Sequence, residues 1–181
     1  LLAVMIGLAG GAVMLKIPTE LWEKSGLIFV LMALALLLIV LLPGLGRTVN
    51  GATRWVSVAG INVQVSEPAR LLVVMWLAGY AVRKQVELRN SWQGFLMPMG
   101  IVAIFSILLL LQPDFGATTV LLAITLGILF VAGGRLVYFV ISCLGVLGVL
   151  AVLAITSPYR LKRITSFLDP WADPFDLSLI H

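Results

Sequence analysis

The chain has 181 residues, of which 61% are hydrophobic and 11% charged, and its mean hydropathy is +1.14. A soluble core of this size cannot hide so much apolar surface, so the composition excludes an ordinary soluble domain and indicates a membrane protein. The twelve Lys and Arg and the eight Asp and Glu lie between the apolar runs or at their ends, which leaves no basic face for nucleic acid. With Cys143 as the one cysteine and His181 as the one histidine, the sequence offers neither a disulfide framework nor a zinc cluster.

Six apolar runs follow one another along the chain and predict an all-α fold, a polytopic bundle of transmembrane helices. The runs are apolar on all sides, as expected for helices that contact lipid and one another. None alternates as the strands of a membrane barrel do. They cover residues 1–15, 27–42, 71–82 with the turn before it, 95–111, 117–132 and 136–155.

The first run starts the chain without an initiator methionine or a signal-peptide pattern. It is shorter than the roughly 20 residues needed to cross about 30 Å of hydrocarbon, so we expect the chain to begin inside a membrane helix. Residues 1–181 are expected to form a single transmembrane domain, with a loop over 43–66 and the start of a larger loop over 157–181. Six Lys and Arg fall on each side of the membrane, so the positive-inside rule leaves the orientation open.

The connection 43–66 places Arg54 beside Trp55. A tryptophan next to an arginine is typical of the membrane interface, where both serve as anchors. The functional interpretation is that the planar guanidinium of Arg54 holds the phosphate of an anionic lipid headgroup. These residues alone leave both interpretations open.

A charged segment lies at the start of the third helix, where Ser66 is predicted to be the N-cap and Pro68 suits the first turn. Capping does not explain Arg70, because a cation in the first turn opposes the helix dipole and a charge near hydrocarbon is costly. A Glu67–Arg70 ion pair at spacing i, i+3 would neutralise both charges inside the protein. Since ionisable residues within membranes mark functional sites by default, we predict a buried, functional pair here.

Two further polar segments lie on the same side. Pro113 ends the fourth helix and Asp114 is predicted to cap the fifth, while Gln112 and Asp114 could also present an amide and a carboxylate to a cavity. In the tail, Arg160 belongs to a basic cluster that could be a membrane-surface anchor alone. Asp169 opens an Asp-Pro-Trp-Ala-Asp-Pro string, which specifies a rigid, extended loop.

Taken in order, these segments resemble the SEDS family, which comprises FtsW, RodA and SpoVE. The resemblance covers nearly the whole chain, and segment 82–90 is most similar to FtsW, the cell-division member. Five ordered motifs carry it: 51–55 (Gly-Ala-Thr-Arg-Trp), 64–70, 112–116 (Gln-Pro-Asp-Phe-Gly), 130–133 (Phe-Val-Ala-Gly) and the tail from 159–160 to 169–175.

The resemblance implies a ten-helix protein of the bacterial inner membrane and division septum, of which this chain holds about six helices. It implies a glycosyltransferase that polymerises lipid II, the undecaprenyl-linked precursor, into septal peptidoglycan during cell division. The implied partners are a class B penicillin-binding transpeptidase and other membrane proteins of the division machinery. The loops around Arg54, Asp114 and Asp169 would lie in the periplasm. A lipid II flippase, a non-catalytic division scaffold and a RodA-like role in elongation are the alternatives.

The expected substrate-binding residues are those charged or polar at this membrane boundary. Three arginines are expected on the side of the lipid pyrophosphate, with Glu67 and Asp114 holding them in place. No cofactor is identified, although a divalent metal could share in stabilising the pyrophosphate. The full set is Arg54, Glu67, Arg70, Gln112, Asp114, Arg160 and Asp169.

The chain departs from the family pattern at three positions within the segment 64–70 and again at its end. Val65 stands where proline is common, Pro68 where leucine is common, and Arg70 where lysine is usual, which keeps the charge but changes the contact geometry. After Phe175 the family continues toward a long loop with the aspartate regarded as catalytic, whereas this chain reads Asp-Leu-Ser-Leu-Ile-His over 176–181. We therefore expect a fragment truncated at both ends, with a shift of reading frame near its end as one explanation. The catalytic residue is expected beyond it, and the fragment is expected to be inactive alone.

Overall fold

A computed structural model of the chain describes residues 2–42, 46–49, 52–58 and 61–156. Contacts divide the chain into two units, Leu1–Phe139 and Val140–His181. The described part contains eight helices and three strands. In chain order these are α1 Leu2–Lys16, α2 Thr19–Lys24, α3 Gly26–Leu41, β1 Arg47–Val49, β2 Ala52–Val58, β3 Ile61–Gln64, α4 Ser66–Arg83, α5 Gln85–Asn90, α6 Trp92–Leu111, α7 Phe115–Val131 and α8 Leu136–Ile155.

The six long helices match the six predicted apolar runs, so the all-α membrane fold is confirmed. With 20 residues each, α6 and α8 are long and apolar enough to cross a membrane, while α1, α3 and α7 are shorter apolar helices. Large apolar side chains such as Ile104 and Ile107 point outward from α6. This pattern is typical of helices whose outer surface contacts lipid.

The 43–66 connection, which we predicted as a loop, contains a small antiparallel sheet. Its three strands follow the order β1-β2-β3, and Trp55 of β2 lies opposite Gln64 of β3. Apolar and polar residues alternate from Val56 to Val58 in β2 and from Ile61 to Gln64 in β3, which is the period of a strand. Antiparallel pairing gives the backbone N–H and C=O groups of these strands hydrogen-bond partners.

Within the first unit, α4 packs most closely against α3, and α7 packs against α4 and α6. Ala33 of α3 and Ala69 of α4 are buried, and small side chains of this kind allow packed helices to approach each other closely. Leu77 of α4 and Phe105 of α6 are among the large side chains that fill the core. These contacts hold the starts of α4 and α7 side by side.

The connections of the first unit lie at two opposite ends, as we assumed when we counted Lys and Arg on the two sides of the membrane. At one end the Ser66 hydroxyl lies 3.0 Å from a carboxylate oxygen of Asp114. At the other end the Nε of Arg135 lies 2.9 Å from the carbonyl oxygen of Arg89. The 20-residue α6 joins the two ends over about 30 Å.

A close backbone approach occurs where α5 meets α6. A Cβ atom on Gly94 would lie 2.6 Å from the carbonyl carbon and oxygen of Glu87 and 2.9 Å from the backbone nitrogen of Leu88. The carbonyl of Gly94 also accepts a 2.8 Å hydrogen bond from the buried hydroxyl of Tyr80. Only glycine fits at this position without moving backbone.

We expect Gly94→Ala to lower the free energy of unfolding by about 1–3 kcal/mol, because the added methyl meets backbone atoms that cannot turn away. Denaturant titration of the intact protein in detergent micelles measures the change. The matched control is Gly100→Ala in the same helix, where nothing lies within 4 Å of the new methyl. Equal stability of the two variants would contradict the close approach.

Candidate functional site

The turn between α6 and α7 is built around the carboxylate of Asp114. This side chain is 3% exposed, and its Oδ1 accepts a hydrogen bond from the N–H of Ala117 at 3.2 Å. Asp114 is the N-cap residue of α7, as predicted. The cap fixes the direction in which α7 leaves the turn.

The second carboxylate oxygen of Asp114 reaches across to the start of α4. It accepts hydrogen bonds from the Ser66 hydroxyl at 3.0 Å and from the side-chain amide of Gln64 at 3.2 Å. Gln64 also donates to the Ser66 oxygen at 2.9 Å, so the three side chains form a closed network. The network joins the end of β3 and the first residue of α4 to the start of α7.

The prediction that Ser66 caps the third membrane helix is wrong. Val65 holds the N-cap position of α4 and no side chain caps it, while Ser66 is the first helical residue. The hydroxyl of Ser66 is fully buried and donates to Asp114 instead. A sequence pattern can identify a residue type that often caps helices. It cannot show that the Ser66 hydroxyl donates to an acceptor 48 positions away.

Gln112 precedes Asp114 and is completely buried. Its Nε2 donates a 2.9 Å hydrogen bond to the carbonyl of Leu37 in α3. Its Oε1 accepts no hydrogen bond from any residue that the structure describes. Gln112 therefore ties the α6–α7 turn to α3 and leaves one buried acceptor unsatisfied, which costs about 1–3 kcal/mol.

The predicted ion pair between Glu67 and Arg70 is confirmed. An Arg70 Nη2 hydrogen donates to Oε2 of Glu67 within the first turn of α4. The expectation that the pair is buried is wrong, because the side chains are 53% exposed for Glu67 and 22% for Arg70. Both face an open groove.

That groove has a volume of about 450 Å³ and lies between α4 and α7. The Glu67–Arg70 pair lies at its outer end, and its walls farther along α4 and α7 are apolar. From Glu67 to Val74 the wall extends about 10 Å along the helix axis. The lining residues are Glu67, Pro68, Arg70, Leu71, Val74 and Ile124.

The other predicted site residues are distributed differently. The backbone of Arg54 lies in β2, next to Trp55, whose partner in β3 is Gln64 of the Asp114 network. The strand register therefore places Arg54 near the site, while its side chain lies outside the described residues. Arg160 and Asp169 also lie outside them. Gln112 and Asp114 support the turn and do not line the groove.

Sequence reasoning missed the roles of Gln64 and Ser66 as partners of Asp114, and it missed the apolar walls of the groove. Leu71 and Val74 follow Glu67 and Arg70 at helical spacing of four residues, so the helix period could have identified one wall. Among the described residues, no group of three or more His, Cys, Asp or Glu side chains could hold a metal ion.

Comparison with known proteins shows which family has this sequence. Residues 1–179 match the family model of FtsW, RodA and SpoVE, described as cell cycle protein. The chain belongs to the FtsW/RodA/SpoVE family. It is 53% identical over 170 residues to a probable peptidoglycan glycosyltransferase FtsW of Thioalkalivibrio sp. (strain K90mix), covering 94% of this chain and 42% of that protein. A protein of the same description from Marinobacter nauticus is 48% identical, covering 94% and 43%.

The fold of this family member also matches a solved structure of a peptidoglycan synthase complex. The TM-score is 0.72 and the sequence identity 26%, with 96% of this chain and 51% of that chain covered. The printed description of that structure concerns the coordination of polymerization and crosslinking. The chain spans less than half the length of these two FtsW relatives.

We expect Ser66→Ala to lower the free energy of unfolding by about 1.5–3 kcal/mol, because the carboxylate of Asp114 loses a buried hydrogen bond. Unfolding of the intact protein in micelles provides the measurement. Thr119→Ala is the matched control, since that hydroxyl donates only to Phe115 of its own helix, and it should cost under about 1 kcal/mol. A smaller loss for Ser66→Ala than for the control is incompatible with the network.

Gln112→Met should leave stability unchanged or raise it by up to about 2 kcal/mol. The variant loses one hydrogen bond to Leu37 but also removes a buried acceptor without a partner in the described part of the chain. Ser106→Ala is the comparison, since its buried hydroxyl also has no partner there. Destabilisation of Gln112→Met by more than about 2 kcal/mol would show that the Leu37 contact dominates.

Proposed function

We propose that the intact protein is a peptidoglycan glycosyltransferase that polymerises lipid II for septal wall synthesis. The observation that carries this proposal is the groove between α4 and α7, with an ion pair at its outer end and apolar walls below. Such a groove suits a ligand with a charged headgroup and a hydrocarbon chain. Its volume of about 450 Å³ falls within the roughly 300–1,000 Å³ of typical ligand pockets.

The depth of the groove supports a lipid-linked substrate. Val74 and Ile124 lie eight and nine residues from the first residues of α4 and α7, which places each about 12–14 Å along its helix. An isoprenoid chain can contact these residues while its pyrophosphate stays near Arg70. A soluble sugar nucleotide would gain nothing from this apolar wall.

In the proposed reaction, a base removes the proton from an acceptor sugar hydroxyl, whose oxygen attacks the anomeric carbon of the donor. The bond from that carbon to the lipid pyrophosphate breaks, and negative charge develops on the leaving group. Arg70, together with Arg54 and Arg160, stabilises this charge. Glu67 orients Arg70 through the ion pair, and Asp114 holds the turn of α4 from which both project.

The same proposal extends to the surroundings of the enzyme. It includes the bacterial inner membrane at the division septum, a class B penicillin-binding transpeptidase as partner, and other membrane proteins of the division machinery. The likeness to a peptidoglycan synthase complex supports a synthase partner. A divalent metal would share the pyrophosphate charge with the arginines, and chelation tests that contribution.

We expect Glu67→Gln, Arg70→Ala and Arg54→Ala each to slow lipid II polymerisation by roughly 10- to 100-fold. Glu67→Gln leaves Arg70 without its partner, and the arginine variants remove charge that stabilises the pyrophosphate. The assay uses the intact protein with its transpeptidase in proteoliposomes, with and without EDTA, and measures glycan polymer on gels.

The matched control is Glu87→Gln. It breaks the Lys84–Glu87 pair, which has the same i, i+3 spacing and lies at the other end of α4. Because that pair is far from the groove, Glu87→Gln should polymerise at the normal rate. Full activity of the Glu67, Arg70 and Arg54 variants would reject the proposal. Headgroup translocation without polymer would favour a flippase, and normal wall synthesis in cells with all three changes would favour a scaffold.

A further inference from the structure

At the end of the first unit opposite the groove, the connection after α7 holds an arginine against a glycine. The chain turns at Gly133, whose φ is +84°, and the N–H of Gly134 donates to the carbonyl of Leu129 at 3.1 Å. These features close the C-terminus of α7 in a Schellman-type turn. A Cβ atom on Gly133 would lie 2.8 Å from Nε of Arg89, so the Arg89 side chain lies directly on this glycine.

A second arginine converges on the same turn. The Nε–H of Arg135 donates to the carbonyl oxygen of Arg89 at 2.9 Å, and both side chains are exposed. We call Arg89 and Arg135, with Gly133 between them, the two-arginine cluster. No acidic side chain in the described ranges pairs with either arginine. Glu87, the nearest acid in sequence, is hydrogen-bonded to Lys84 at 2.6 Å and raises the pKa of that lysine.

Two exposed cations at one turn repel each other weakly in water, and an anion between them lowers that repulsion. The carboxyl end of α7 interacts favourably with a cation through the helix dipole. An arginine fork holds phosphate oxygens in two parallel hydrogen bonds. The cluster therefore matches an anion with several oxygens.

Neighbouring side chains indicate that this anion belongs to a lipid. Trp92, at the start of α6, is 58% exposed, and an exposed tryptophan at a helix end is typical of the headgroup level. Leu136 and Val137 follow Arg135 directly and are 64% and 65% exposed. A soluble phosphate or an acidic peptide has no use for these apolar side chains, whereas an acyl chain packs against them.

We propose that the two-arginine cluster binds the phosphate headgroup of an anionic phospholipid, with the acyl chains lying along the exposed start of α8. The site is separate from the groove, because Gly133 follows the end of α7 and lies about 10–14 Å along the helix axis beyond Ile124, which lines the groove. It gives a role to the Phe-Val-Ala-Gly motif over 130–133, since Gly133 provides the space that Arg89 fills.

The test titrates the intact protein in detergent with phosphatidylglycerol or phosphatidylcholine and counts retained lipids by native mass spectrometry. We expect Arg89→Gln/Arg135→Gln to weaken phosphatidylglycerol binding by roughly 30-fold, because each arginine near a membrane surface contributes about fivefold. The matched control, Lys16→Gln/Lys24→Gln, removes two charges from other connections at the same end. It should change binding by less than fivefold. Arg89→Lys/Arg135→Lys, which keeps the charges, should retain more lipid than the glutamine variant.

Three results would overturn the proposal. One is equal weakening in the two glutamine variants, which would indicate diffuse surface charge. Another is equal retention of phosphatidylcholine and phosphatidylglycerol by the unmodified protein. The third is complete displacement of phosphatidylglycerol by an equal concentration of inorganic phosphate, which would identify a site for a soluble anion. Matching thermal unfolding curves of the lysine and glutamine variants exclude misfolding as the cause of lost binding.

Discussion

The carboxylate of Asp114 is the interaction on which the arrangement of the first unit depends. One oxygen caps α7, and the other accepts hydrogen bonds from Ser66 at the start of α4 and Gln64 at the end of β3. A buried carboxylate is stable only when hydrogen-bond donors surround it, so these three segments must remain together for the charge to be tolerated. The free-energy cost of burying the Asp114 carboxylate therefore keeps the end of β3 and the starts of α4 and α7 together.

The groove follows from this constraint. Its walls are formed by α4 from Glu67 to Val74 and by Ile124 of α7, and the hydrogen bonds that meet at Asp114 hold the starts of these two helices together. Glu67 follows Ser66 directly, and Arg70 lies one turn farther along α4. The position of the ion pair therefore depends on Ser66, which does not line the groove. At the opposite end of the unit, the side chain of Arg89 packs on Gly133, and Arg135 donates a hydrogen bond to a backbone carbonyl. Asp114 is therefore a buried charge held by hydrogen bonds, whereas the two arginines are exposed.

The features predicted correctly from the sequence are those that depend on the local pattern of residues. Long apolar runs identified the six long helices, and helical spacing identified the Glu67–Arg70 pair, because both depend only on neighbouring positions. The bond from Ser66 to Asp114 joins residues 48 positions apart and depends on how two helices pack, which no local pattern contains. The exposure of Glu67 was missed for the same reason. The strands over 47–64 were not predicted, because apolar and polar residues alternate over only three residues in β2 and four in β3.

The near-absence of a loop between α6 and α7 bears on how the protein is made. With only three residues between them, neither helix can cross the bilayer during biosynthesis without the other following at once, so the two insert as a hairpin. Asp114 lies at the tip of this hairpin, where one carboxylate oxygen caps α7 and the other accepts a hydrogen bond from Ser66. Ser66 is 48 positions earlier in the chain, so it is synthesised before the carboxylate that it contacts. The polar network can therefore form only once the hairpin has been synthesised.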